Sequence, residues 1–179
     1  MVTRRTFLGQ AASLVAAATP ADTPARGAQA SPPVVVALAG CGGMGNNHLR
    51  LLAARSDVRI EFLCEPDATR LAAAVKIVEE AGHKTPRAVR DLRQVLDDKS
   101  VQAVWIATPD HWHAPAAILA AEARKHVYVE KPCSHNLREG RLMIEAARRN
   151  SVVMQVGTQS RSTANVIAAM KRLAEGDPL

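Results

Sequence analysis

Aromatic side chains are scarce: only 3% of the 179 residues are aromatic, with two Phe, two Trp and one Tyr. A core must therefore be filled mainly by Ala, Val, Leu and Ile, which pack densely only in regular layers. No window holds the roughly 20 consecutive strongly apolar residues of a membrane-crossing helix, which excludes a span of that kind. Three cysteines, Cys41, Cys64 and Cys133, form no framework spacing, so a disulfide scaffold is excluded too. Each falls at the end of an expected strand, where it reads as a small buried apolar residue. Runs of five basic residues are missing, and basic residues are not interleaved with aromatic ones. The chain has 23 Lys and Arg against 17 Asp and Glu, a formal charge of +6 and a sequence pI near 9.7. Scattered as they are, these charges leave no nucleic-acid footprint. Hydrophobic residues at 47% and charged residues at 22% are globular values, and the length suits one domain.

The first thirty residues stand apart. Arg4-Arg5-Thr6-Phe7-Leu8 precedes an Ala-rich stretch to Ala18, Pro20 and Pro24 break any helix, and Ala28-Gln29-Ala30 has the small-x-small pattern of a cleavage site. This arrangement resembles a bacterial twin-arginine signal, with a basic tail carrying a chance Arg pair as the alternative. Residues 1–30 are thus expected to be an export signal to the periplasm, and 31–179 the folded domain. Removing Arg4, Arg5, Arg26 and Asp22 with the leader lowers the balance from +6 to +4.

From residue 31 onward short aliphatic runs alternate with helical spacing. Strands are expected at 34–39, 58–64, 87–89, 101–107, 126–130 and 152–156. Helices are expected at 44–55, 67–82, 91–97, 115–124, 137–149 and 162–175, the second ending at Gly82. Strands separated by helices of this length predict an α/β fold, a Rossmann-type parallel sheet with helices on both faces.

Between the first strand and the first helix runs Gly40-Cys41-Gly42-Gly43-Met44-Gly45, a G-x-G-x-x-G pattern. In such a loop one glycine makes the tight turn, the next lets a pyrophosphate reach the backbone, and the third lets helix and strand pack closely. Helix N-terminal amides then face the phosphate oxygens. Glu65, at the end of the second strand, is placed to accept the ribose hydroxyls, which favours NAD over NADP. Asp67 competes for that role, and Arg70 is a candidate for the adenine or a 2′-phosphate.

Two further clusters close strands: Thr108-Pro109-Asp110-His111-Trp112-His113 and Glu130-Lys131-Pro132-Cys133. In an open α/β sheet, ligands lie beyond the carboxyl ends of strands, so both clusters face the same crevice. Lys131 could polarise a substrate oxygen, or act as a base if burial lowers its pKa; the plain alternative is a surface ion pair with Glu130. His111 and His113 would need a third ligand, such as His48, His135 or Cys133, to hold zinc, and no metal is expected. His113 reads as a helix-start residue, His111 as an imidazole facing cofactor or substrate, and Trp112 as a wall of the cleft.

Taken together, the glycine loop, the Thr108–His113 run and Glu130-Lys131-Pro132 resemble the Gfo/Idh/MocA family of NAD(P)-dependent sugar oxidoreductases. The stretch from Gln155 to Ser162 is similar to the family's twin-arginine-exported bacterial branch, and Asp110 stands where many members have Asn. The resemblance implies a Rossmann domain that binds NAD or NADP through Gly40, Gly42, Gly43, Met44, Gly45, Glu65, Arg70, Thr108, Pro109, His111, His113, Glu130 and Lys131. It also implies that Lys131 is catalytic, close to nicotinamide and substrate. Family members continue into a second α/β domain built on an open antiparallel sheet, and this chain stops at Leu179 where that domain would begin. The expectation is an exported NAD(P)-binding domain, cut short, of an enzyme moving hydride between nicotinamide and a sugar or polyol hydroxyl. Alternatives are a non-catalytic NAD(P)-binding module or sensor, an NAD-assisted glycosidase, and an unstable truncated product. Homo-oligomerisation stays open.

Overall fold

Val34–Ala39 contains no polar residue and is buried from Val35 onward. Such a run suits a strand covered on both faces, and it forms β1 at the middle of a six-stranded sheet. The computed structural model describes residues 32–176, so the expected leader at 1–30 lies outside the described residues. β2 (Val58–Cys64) and β3 (Arg87–Val89) lie on one side of β1, and β4 (Ala103–Ile106), β5 (His126–Glu130) and β6 (Met154–Gly157) on the other. The order is β3-β2-β1-β4-β5-β6, and every pairing is parallel. This is the doubly wound Rossmann arrangement.

Helices α1 (Gly43–Ala53), α2 (Ala68–Glu80), α3 (Leu92–Leu96), α4 (His113–Glu122), α5 (Leu137–Asn150) and α6 (Ala164–Ala174) connect or follow the strands. Alternation along β1 divides the core into two layers. Val36 and Leu38 pack with Leu49 and Leu52 of α1 and Leu71, Ala74 and Val78 of α2. Ala37 and Ala39 face the other way, toward Val95 of α3, Met143 of α5 and the alanines of α4. Ala114, Ala116, Ala117, Ala120 and Ala121 are all buried, so α4 approaches the sheet through small side chains. The shortage of aromatics is resolved in this way, with Phe62 the one aromatic that is fully buried among the described residues.

Local signals explain most boundaries. Asp67 accepts hydrogen bonds from the backbone N–H groups of Thr69 (2.8 Å) and Arg70 (2.9 Å), starting α2 as an N-cap should. Gly82 takes φ +82° just past the end of α2, as expected for a C-terminal glycine. Asn136 accepts from the Glu139 N–H at 3.0 Å while the Glu139 carboxylate accepts from the His135 N–H at 2.7 Å, a reciprocal start to α5.

The differences from expectation are equally local. α4 begins at His113 rather than 115, because Pro115 sits in the first turn, where its missing N–H has no intrahelical role. A 3₁₀ turn at Asp110–Trp112, closed by Trp112 N–H to Pro109 O at 2.9 Å, was not foreseen. β6 runs two residues late at its start. Ser151 adopts a left-handed conformation (φ 54°) and the Val152 N–H still bonds back to Ala147 O at 3.1 Å, which keeps Val152 out of the sheet.

At the exit of β1, Gly40 has φ +92°, a conformation that favours glycine. Gly45 lies directly over it: a Cβ added there would meet the Gly40 carbonyl oxygen and lie 2.9 Å from its carbon. Gly45→Ala is therefore expected to push α1 off β1, costing about 2–3 kcal/mol and lowering Tm by roughly 5–10 °C, as a thermal melt would show.

Candidate functional site

Because all strands run the same way, their carboxyl ends share one edge of the sheet. The chain leaves β1 toward β2 and returns from β3 to β4, opening a crevice at this reversal. A cavity of about 890 Å³ lies there, and its walls include Gly40, Gly42, Glu65, Arg70, Thr108, Pro109, His111 and Trp112. The glycine loop, Glu65 and the Thr108–Trp112 run, at the ends of β1, β2 and β4, thus meet in one space, whereas the expected Glu130–Cys133 cluster does not line it. Gly45 is buried beneath Gly40, whereas Gly43 and Met44 are exposed on the first turn of α1. His113, Glu130 and Lys131 are not part of this wall.

Gly42 behaves differently from Gly40 and Gly45. Its φ is −79°, and a Cβ at Gly42 or at Gly43 would meet nothing within 4 Å. Nothing among the described residues demands glycine at these positions, and the bare backbone leaves room for close approach of another molecule. Gly42 is also the N-cap of α1 and offers no side-chain cap, and the first turn carries no acidic residue. The helix start beside the cavity thus carries no acidic side chain of its own to compete for its N–H groups, as a pyrophosphate requires. Thr108 Oγ1, in the cavity wall, is buried without a hydrogen-bond partner. Cradle, bare helix start and orphaned hydroxyl all fit a dinucleotide.

Glu65 is 8% exposed. Its Oε2 accepts from Cys41 N–H at 2.8 Å and its Oε1 from Asp67 N–H at 3.1 Å. Each oxygen keeps a second lone pair for a ribose hydroxyl. Asp67 is held differently. The N–H of Arg70, and after it that of Thr69, keep its carboxyl below the usual range despite some desolvation. It caps α2 and is not part of the cavity wall, whereas Glu65 is. Burial, with the Glu65 charge adding to it, pushes the Cys41 thiol up to about 12. Burial, then the charges of Asp91 and Glu65, push Cys64 up to about 11. Both stay protonated and unreactive, as small core residues do, whereas Cys133 is only half-buried.

Sequence reasoning missed Arg90, Leu92 and Leu119, which complete the cavity. Arg93 also lines it but is bound to Asp91 at 2.7 Å, whereas Arg70 and Arg90 have no ion pair among the described residues. The signal for Arg90 was its place just after β3, the shortest strand, at the same edge of the sheet.

His113 starts its helix as expected, but it does not line the cavity, where the implied cofactor contact would place it. Its ring is 3% exposed, with Nδ1 2.6 Å from Pro132 O and Nε2 2.8 Å from Thr108 O. Both nitrogens are engaged with backbone, so His113 ties the segment after β4 to the segment after β5 and presents no nitrogen to the cavity. His111 is exposed at the cavity wall, its Nδ1 3.8 Å from Asp110. Among the described residues no group of three or more His, Cys, Asp or Glu could hold a metal ion.

At the end of β5, Glu130 is 4% exposed. His48 Nε2 donates to its Oε1 at 2.7 Å, Gln159 Nε2 to its Oε2 at 2.6 Å, and the Lys131 N–H to Oε2 at 3.2 Å. Burial alone would raise its pKa, but the bonds from Gln159, His48 and the Lys131 N–H together hold it below the ordinary carboxylate range. Its carboxylate is turned inward, so the surface ion pair with Lys131 does not form: Lys131 is exposed and its ammonium has no ion-pair partner among the described residues. The single tyrosine, Tyr128, stacks on Trp105 (centroids 5.3 Å apart) and meets the His48 ring edge-on at 5.2 Å. Next to this cluster, a second cavity of about 360 Å³ is walled by Tyr128, Gln155, Gly157 and the hydroxyl- and amide-bearing residues 158–160, 162 and 163. Its lining is neutral throughout.

The family model for the Gfo/Idh/MocA oxidoreductases, described by their NAD-binding Rossmann fold, matches residues 34–158. The chain belongs to this family. Levoglucosan dehydrogenase of Pseudarthrobacter phenanthrenivorans is 41% identical over 86 residues, covering 48% of this chain and 22% of that protein. Inositol 2-dehydrogenase of Salmonella typhimurium is 33% identical over 127 residues, 69% of this chain and 36% of that one. The WlbA dehydrogenase of Bordetella pertussis, solved with NADH and UDP-GlcNAcA, superposes with a TM-score of 0.73 at 27% identity, over 80% of this chain and 43% of that one. The chain thus spans less than half the length of these relatives and corresponds to their NAD-binding part. No helix among the described residues is long and apolar enough to cross a membrane.

Two outcomes follow from this geometry. Gly42→Val meets no neighbour and should leave the melting temperature nearly unchanged, while weakening NADH binding at least about 100-fold by filling the pyrophosphate approach, as measured by fluorescence titration. Glu130→Gln tests the buried carboxylate. A depressed pKa in the folded state stabilises the fold above the unfolded carboxyl pKa, and that stability is lost as pH falls through the folded value. The variant should therefore be less stable than wild type at neutral pH by about 1–3 kcal/mol. In denaturant melts across acid pH, the gap should narrow only below the ordinary carboxylate range.

Proposed function

We propose that this domain serves an oxidoreductase that moves hydride between a nicotinamide dinucleotide, preferentially NAD, and the hydroxyl-bearing carbon of a sugar or polyol. The observation that carries this reading is Lys131. It stands exposed and unpaired at the end of β5, one strand beyond the β1/β4 reversal where the dinucleotide cavity opens. Beside it, through Gln159 and Glu130, lies the neutral cavity of hydroxyls and amides, a lining suited to an uncharged polyhydroxylated molecule. The nicotinamide, when bound, supplies the hydride chemistry. The chain's residues do the rest: Gly42 and the α1 amides hold the pyrophosphate, Glu65 takes the ribose hydroxyls, and Lys131 orients the substrate hydroxyl and exchanges its proton. The names of the relatives, dehydrogenases of levoglucosan and inositol, support this substrate class. We further propose that residues 1–30 export the folded domain to the periplasm, supported by Arg4-Arg5 and Ala28-Gln29-Ala30; retention of an Arg4→Lys/Arg5→Lys double variant in the cytoplasm is the expected sign.

The test is NADH titration of the chain, followed by turnover with NAD and a panel of polyols, free sugars and anhydrosugars. Lys131→Met should keep NADH affinity within about threefold and lower turnover at least about 100-fold. Undiminished turnover in that variant refutes the role of Lys131. NADH binding with no turnover by the wild-type chain would identify a binding module, and release of a glycosidic leaving group without net reduced nicotinamide would identify a glycosidase.

A further inference from the structure

Lys131 is exposed, yet the residues on both sides of it are held from three other parts of the fold. Glu130 is bound by His48 of α1 and by Gln159 of the segment after β6, and its Oε2 also accepts the Lys131 N–H. Pro132 gives its carbonyl oxygen to His113 of α4 at 2.6 Å. Gly157 of β6 leaves room for the first group: a Cβ there would lie 2.9 Å from Glu130 Oε1 and would meet the Tyr128 hydroxyl. β5 is already paired with β4 and β6 along its length, so holding this strand in the sheet requires no buried charge. Burying a carboxylate is costly unless its bonds are complete, and here their combined effect is to fix one backbone position. His48 sits on the helix whose first turn receives the pyrophosphate, so one rigid element carries both the phosphate cradle and the anchor of Glu130.

We propose that His48 and Gln159, acting through Glu130, and His113, acting through Pro132, are positioning residues that fix Lys131 against the bound dinucleotide. The inference rests on the reading of Lys131 as the residue beside the nicotinamide. It goes beyond that reading by assigning to α1 a second task, that of registering Lys131 on the cofactor it binds.

The experiment follows acylation of Lys131 by an amine-directed reagent, read by peptide mass spectrometry with and without saturating NADH, in the whole chain. Wild type, His48→Gln (which restores a donor near the Nε2 position), His48→Leu and Gln159→Leu are compared. NADH should slow Lys131 acylation about tenfold or more in wild type and His48→Gln, but less than about threefold in His48→Leu and Gln159→Leu, with NADH affinity kept within about threefold in all four. Gln159 is exposed, so its variant carries the test if His48→Leu fails to fold. Full protection in both leucine variants overturns the positioning role. A parallel collapse of NADH affinity and melting temperature in the two leucine variants also overturns it, because it marks a purely structural cluster. Absence of protection in NADH-bound wild type overturns instead the placement of Lys131 beside the nicotinamide.

Discussion

The arrangement depends on β1 being central, parallel to both neighbours and covered on both faces. That constraint selects Val-Val-Val-Ala-Leu-Ala, with larger side chains toward α1 and α2 and only alanines toward α4. It also places every strand's carboxyl end on one edge of the sheet, so a ligand site assembles there from segments distant in sequence. The close contact of Gly45 with Gly40 then fixes α1 over the end of β1. Cradle and crevice are consequences of how tightly one strand is packed.

Two buried carboxylates make the same physical device on opposite sides of this crevice. Glu65 follows β2 and accepts the N–H of Cys41, pinning the glycine loop; Glu130 ends β5 and accepts the N–H of Lys131. Charge-assisted hydrogen bonds contribute about 1.5–3 kcal/mol each, and each carboxylate accepts at least two, which offsets its desolvation. The arrangement stiffens the segments that meet a ligand while leaving Lys131 itself free in solvent.

How much of this was legible in the sequence follows from the range of each interaction. The strand Val34–Ala39 was readable because its composition is decided by burial alone, and Gly40, Gly42 and Gly45 because their roles depend on spacing within six residues. Glu65 and Asp67 could not be separated by position; two local N–H bonds made Asp67 a helix cap. The tie made by the His113 ring was not legible because both of its partners, Thr108 O and Pro132 O, are backbone atoms that leave no mark on composition. His48 and Gln159 meet Glu130 across 82 and 29 residues, and only the folded sheet brings them together. Arg90 was hidden by the brevity of β3.

The dinucleotide preference turns on a comparison of magnitudes at Glu65. Arg70 and Arg90 line the cavity without ion pairs among the described residues, which would by itself suit a 2′-phosphate. Both are exposed, however, and an exposed ion pair contributes about 0–1 kcal/mol. Glu65 is buried, and its two oxygens are tethered to the N–H groups of Cys41 and Asp67, so it cannot swing aside without breaking both bonds. Each phosphate charge at roughly 4 Å from that carboxylate is disfavoured by about 4 kcal/mol at an effective dielectric constant near 20. A ribose with both hydroxyls free instead gains acceptors at the same atoms. Repulsion from the tethered carboxylate exceeds the attraction of the two exposed guanidinium groups, which favours NAD.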